Sequence, residues 1–188
     1  MTIAALYCDA RGPYIGRPGV DAWPKSRDAK LYVGPLPIVA HPDCGPWSKL
    51  RHMCTKQDPE CGKVAIRQVR ENGGVLEHPE HSKLFDWGGL PKPGDATDHW
   101  GGRTYAVDQC DWGHKCRKPT WLYVVRVDQA WTMRKLRERR GKGVPTHCVC
   151  TGPRQAQRLP VATKLVKRIT PPAFADLLIS IAKKAKQL

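Results

Sequence analysis

Two short stretches hold the side chains with the greatest chemical reach, and each follows an apolar run. In residues 37–48 (PIVAHPDCGPWS) the run ends in a proline-rich turn that presents Cys44. In residues 73–79 (GGVLEHP) it ends in Glu77 and His78. A thiol becomes a nucleophile when nearby cations or backbone N–H groups favour its thiolate. A carboxylate beside it can serve as general acid or hydrogen-bond the edge of a base. The competing readings are a buried structural thiol, which the spacing supports equally, and a surface turn acid. Two further stretches stand out: residues 111–123 (DWGHKCRKPTWLY) and residues 170–178 (TPPAFADLL).

The elements that must position these groups follow from periodicity. Apolar runs ended by turn signals predict buried strands at residues 3–8, 37–40 and 75–77, and the aromatic and β-branched run WLYVVRV predicts a fourth at 121–127. Between the second and third, residues 63–71 place apolar side chains at 64, 65, 66 and 69, a helical face closed by Gly73-Gly74. Strand, helix, strand implies a crossover and a parallel sheet. Residues 86–102 read as a loop, 128–139 as a short helix, and 171–186 as a core helix opened by Pro171-Pro172. In an open parallel sheet the loops at strand carboxyl ends surround the ligand crevice, which puts Cys44 there. The expected architecture is α/β: a single domain over 1–188 with a mostly parallel, Rossmann-like sheet and a short basic insertion before the C-terminal helix.

At 188 residues and 40% hydrophobic, the chain can build one sizeable core. Its charge is lopsided. Residues 1–114 carry 14 Lys and Arg against 14 Asp and Glu, whereas residues 115–168 carry 15 against 2. A neutral body with a basic third is the pattern of a phosphate-binding surface, so DNA is the expected partner and a membrane is not. No signal-peptide pattern and no apolar run of membrane-spanning length is visible, and the eight cysteines form no evenly spaced framework. Reduced thiols and a cytoplasmic location are therefore expected.

Taken in order, the four stretches resemble the motif series of DNA cytosine C5-methyltransferases, over roughly residues 36–180. That family has a strand followed by Pro-Cys, then an aromatic residue and Ser. Here Pro42, Asp43, Cys44, Trp47 and Ser48 stand in that place, with one extra residue between Pro and Cys. The family's Glu-Asn-Val strand end looks like Leu76-Glu77-His78, and its Asp-Tyr-Gly turn like Asp111-Trp112-Gly113, followed by Arg117, Lys118 and Thr120. Its closing Pro-Pro helix looks like Pro171-Pro172-Ala173. The arrangement is also associated with small phage-encoded proteins, which would place the chain in a host cytoplasm.

The resemblance implies Cys44 as nucleophile on C6 of a flipped cytosine and Glu77 as the carboxylate on the N3 side. It implies S-adenosylmethionine as cofactor, near Asp9, Asp21 and Pro42. Arg117, Lys118, Arg134, Lys135, Arg137, Arg139, Arg140 and Lys142 are the expected DNA contacts, within a basic segment at 126–168. One departure is plain: the family's glycine-rich turn after the first strand is missing, with a single Gly12 close behind that strand. The cofactor site is then compressed or lost, and the second reading is a non-catalytic DNA-binding protein on the same scaffold. A nuclease is disfavoured, since no clustered acids or His-Asn-His pattern stands out. His52, Cys54 and Cys61, or His147, Cys148 and Cys150, lack the paired spacing of a structural zinc site, so no metal is expected. Of the seven tryptophans, some suit base stacking and most suit the core.

Overall fold

The computed structural model describes residues 1–48, 51–54, 58–149 and 159–186. Six strands form one sheet: β1 (Ile3–Cys8), β2 (Val20–Pro24), β3 (Ile38–Ala40), β4 (Gly74–Pro79), β5 (Gly102–Asp108) and β6 (Pro119–Val125). They lie side by side in the order β2-β1-β3-β4-β6-β5. The β1–β2, β1–β3 and β3–β4 pairs are parallel, while β6 runs antiparallel to both β4 and β5. The chain is thus α/β with a mostly parallel sheet, as expected, but with one reversed strand set between two others.

Strand alternation divides the core in two. Ile3, Ala5, Val39, Val75, Leu122 and Val124 point to one face and pack beneath Phe174, Leu178 and Ile181 of α5 (Pro172–Ala182). Ala4, Leu6, Ile38, Ala40, Leu76 and Tyr123 point to the other, against Ala65, Ile66 and Val69 of α1 (Glu60–Asn72). The period of two in the strands meets the 3.6 period of each helix, so every second strand residue is covered. Each fully buried Leu, Ile or Phe adds about 1.5–3 kcal/mol relative to exposure. The β3–α1–β4 crossover closes at Gly73 and Gly74. A Cβ on Gly74 would lie 2.0 Å from the Ile38 carbonyl oxygen, so only glycine lets β4 enter against β3.

Short α2 (Lys83–Trp87) follows β4; α3 (Gln129–Arg137), capped by the Asp128 carboxylate accepting from Trp131 N at 2.7 Å, follows β6; α4 (Lys164–Arg168) precedes α5. Two strands go beyond the sequence expectation. β2 and β5 are the sheet's edges, and β5 begins at the end of the expected 86–102 loop. The fourth expected strand stops at Val125, because Arg126 takes a left-handed φ of 59° and turns the chain away. No helix of the described residues is long and apolar enough to cross a membrane.

Candidate functional site

β1 pairs with β2 on one side and β3 on the other, so the connection order reverses between β1 and β3. Ligands of open α/β sheets bind outside the carboxyl ends at such a switch point. Cys8 and Asp9 arrive there from β1, and His41, Pro42, Asp43 and Cys44 from β3. β4 delivers Glu77 and His78 next door. Because β6 is reversed, its first residues reach the same edge, as does the 3-10 turn Gln109–Trp112 that follows β5.

Alternation sends Glu77 to the α5 face, with Val75, and His78 to the α1 face, with Leu76. On the α5 side a polar chain runs across five segments of the chain. The Tyr14 hydroxyl lies 2.7 Å from His41 Nε2, and His41 Nδ1 lies 2.9 Å from Glu77 Oε2. Gln109 Nε2 donates to Glu77 Oε1 at 2.9 Å and to Thr120 Oγ1 at 3.1 Å. Burial alone would raise the Glu77 carboxyl, but the His41 hydrogen bond and the charges of Lys118, His41 and His78 outweigh it and hold it at about 2. Burial, with Glu77 adding to it, keeps the Tyr14 hydroxyl protonated far above its ordinary range.

Across the sheet, His78 is 1% exposed and burial lowers it to about 4, so it is neutral at pH 7. It approaches the Asp43 backbone without a hydrogen bond of good geometry to any described residue. The turn after β3 is built around Asp43, whose Oδ1 accepts from Gly45 N at 3.1 Å, and it presents Cys44 at the start of a 3-10 turn, Gly45–Trp47. Cys44 is exposed as a residue. Partial desolvation of its thiol, then the Asp43 and Glu77 carboxylates, push its pKa up, against a smaller opposing pull from Lys118. With the residue open to solvent, the direction is what matters: at rest Cys44 is a thiol. Glu77 and Lys118 both act on it, which puts all three in one electrostatic neighbourhood.

Pro42 and Asp9 flank the switch point. Pro42 is buried, and Asp9 is exposed with Oδ1 accepting from Arg11 N at 2.9 Å. Asp21 sits elsewhere: it pairs with Ala4 near the start of β2, and its carboxylate is taken by Trp23 Nε1 at 2.8 Å and by Arg27. A methyl-donor nucleoside needs a backbone cradle and a free acid behind the first strand. Here residues 9–19 link β1 to β2 without a helix, and Tyr14 from that link is buried on His41. The described residues do not fit S-adenosylmethionine.

The basic residues divide similarly. Lys118 belongs to the site. Arg117 is paired with Asp108 at 3.5 Å and Lys135 with Glu138 at 2.9 Å. Arg134, Arg137, Arg139, Arg140 and Lys142 are exposed on α3 and the turn beyond it. That turn is fixed to the edge by Asp111, which accepts from Gly141 N at 3.0 Å and Gly143 N at 2.9 Å. A Cβ on Gly143 would meet the Cys110 carbonyl carbon at 2.3 Å, so the approach requires glycine. Residues 150–158 of the basic segment, Cys150 among them, lie outside the described residues. Among the described residues no three His, Cys, Asp or Glu side chains gather to hold a metal. Cys8, Cys44, Cys61, Cys110, Cys116 and Cys148 carry free thiols.

His41, Tyr14 and Gln109 are site residues that the sequence reading does not single out. The one available signal was His41's place at the end of a buried strand, three residues before Cys44. No protein-family model, curated protein or solved structure matches this chain.

Proposed function

We propose that this chain is a DNA-binding protein resembling a minimal cytosine C5-methyltransferase, in which Cys44 adds to a cytosine turned out of the duplex, in a cytoplasmic setting. One placement supports the reading. Cys44 and Glu77 leave the carboxyl ends of neighbouring parallel strands beside the switch point, Lys118 acts on both, and Asp111 ties the cationic 139–142 turn to the same edge.

The target base leaves the stack to reach the crevice. Cys44 gives up its proton to water, and the thiolate forms the S–C6 bond while the C5–C6 π pair moves onto C5. A solvent proton then adds at C5. Loss of the original C5 proton to water re-forms the double bond and expels the thiolate. The net result is exchange of the C5 hydrogen with solvent. Glu77, with both oxygens engaged, keeps His41 and the turn after β3 in place throughout. Methyl transfer would need a donor site that the described residues do not build.

The test is C5-tritium release from cytosine in duplex DNA. Release that rises with pH above neutrality and disappears in Cys44→Ala is the expected result. If both proteins bind DNA and neither releases tritium, the second reading stands: a non-catalytic DNA-binding protein on this scaffold. The raised thiol and the missing cradle already favour that reading over a complete methyltransferase. A melting temperature raised by S-adenosylmethionine would mean that the chain holds a donor site after all.

A further inference from the structure

The edge strand β5 borders two clefts that neither Cys44 nor Glu77 lines. The smaller, about 250 Å³, is lined by Arg103 and Thr104 of β5, by Met133 and Arg137 of α3, and by Arg140 beyond it. It has three guanidiniums and no carboxylate in its wall, and none of the three is in an ion pair among the described residues. Thr104 is 2% exposed, and its hydroxyl has no hydrogen-bond partner among the described residues. That hydroxyl points to the Tyr123 face of the sheet, away from α3, so the polar wall of this cleft is made by the three arginines. Three arginines with no carboxylate among them, Arg103 steadied by donating to Gln129 Oε1 at 2.7 Å, fit a phosphate, which a guanidinium can bind through two N–H groups.

The larger cleft, about 500 Å³, shares Pro93 and Ala106 with the smaller one, so the two join around β5. Its wall holds Lys83 and Lys92, which share Asp86 at 3.2 and 3.6 Å, and an aromatic corner where His81 meets Trp121 at 5.2 Å between ring centroids. His81 keeps a left-handed φ of 59° there, a conformation that costs a non-glycine residue energy and marks functional turns. Glu80 and Asp86 balance the two lysines in this wall, so the cationic character of the groove belongs to the smaller cleft.

We propose that this groove carries a DNA strand past the sheet edge, with a backbone phosphate held by Arg103, Arg137 and Arg140. The proposal rests on the DNA-binding reading above and names the path of the strand. Arg103 lies on β5, outside the basic segment, so it tests an extension of the contact surface beyond the 139–142 turn.

The experiment is fluorescence-anisotropy titration of a labelled DNA duplex over a salt series, with the intact protein and with Arg103→Ala and Arg103→Lys. Each phosphate contact contributes about −0.9 to the slope of log affinity against log salt. Arg103→Ala should reduce the slope by about one contact and weaken binding roughly 3- to 10-fold at moderate salt. Arg103→Lys should keep the slope while losing part of the affinity. If the intact protein binds DNA and Arg103→Ala keeps its affinity and slope, the groove is wrong and the DNA-binding reading survives. If the intact protein shows no salt-dependent DNA binding, both fall together.

Discussion

Replacing Glu77 by Gln isolates the charge at the centre of the site. Glu77 is held at about 2 against an ordinary value of 4.5, and its side chain is 11% exposed, so solvent screens it little. That difference corresponds to on the order of 3 kcal/mol of folded-state stability, in which the His41 hydrogen bond, then Lys118 and the two histidines, outweigh burial. A depressed folded value means that the contribution is complete above the unfolded pKa and is lost as pH falls through the folded one. The window therefore runs from about 4.5 down to about 2. His78, depressed to about 4 from 6.5, gives a separate loss from about 6.5 downward, deeper in Glu77→Gln because the Glu77 charge favours the imidazolium. Urea unfolding at pH 7, 5 and 3 should show the wild type losing the extra stability between the last two, while Glu77→Gln starts lower and changes less. Parallel losses between pH 5 and 3 would refute the assignment of an ionised, hydrogen-bonded Glu77.

Two further outcomes probe the basic edge. Arg139→Ala or Arg140→Ala should weaken DNA binding without regard to sequence and flatten the salt dependence by about one contact; unchanged affinity and slope would remove that turn from the interface. Gly143→Ala should destabilise the fold by about 1–3 kcal/mol in chemical denaturation and weaken DNA binding as well, since its Cβ would meet the Cys110 backbone at 2.3 Å and release the turn from Asp111.

The sequence made legible those elements whose burial leaves a one-sided pattern. β1 stands where the apolar run IAALYC puts it, and α1, α3 and α5 overlap the expected helices with shifts at their ends. β2 is five residues long, half-buried throughout and closed by Pro24, so it has no apolar face to betray it. β5 follows a Gly- and Asp-rich stretch and buries Thr104 and Tyr105 in succession, which breaks alternation. The direction of β6 was illegible for a deeper reason, since periodicity reads the same in either direction. Cys44 and Glu77 could be picked out as polar ends of buried runs. The contacts that surround Glu77 span 27 to 36 residues of chain, from Tyr14 to His41, His41 to Glu77 and Glu77 to Gln109, and only the pairing of strands brings them together.

Asp111 grips the 139–143 turn through main-chain amides and leaves the side chains at 139, 140 and 142 uninvolved in the anchorage. Those three positions are therefore free to change identity so long as Gly141 and Gly143 remain. A family of variants differing only there would share one scaffold and one melting behaviour while differing in what they hold, which makes this turn the natural place to graft a new specificity.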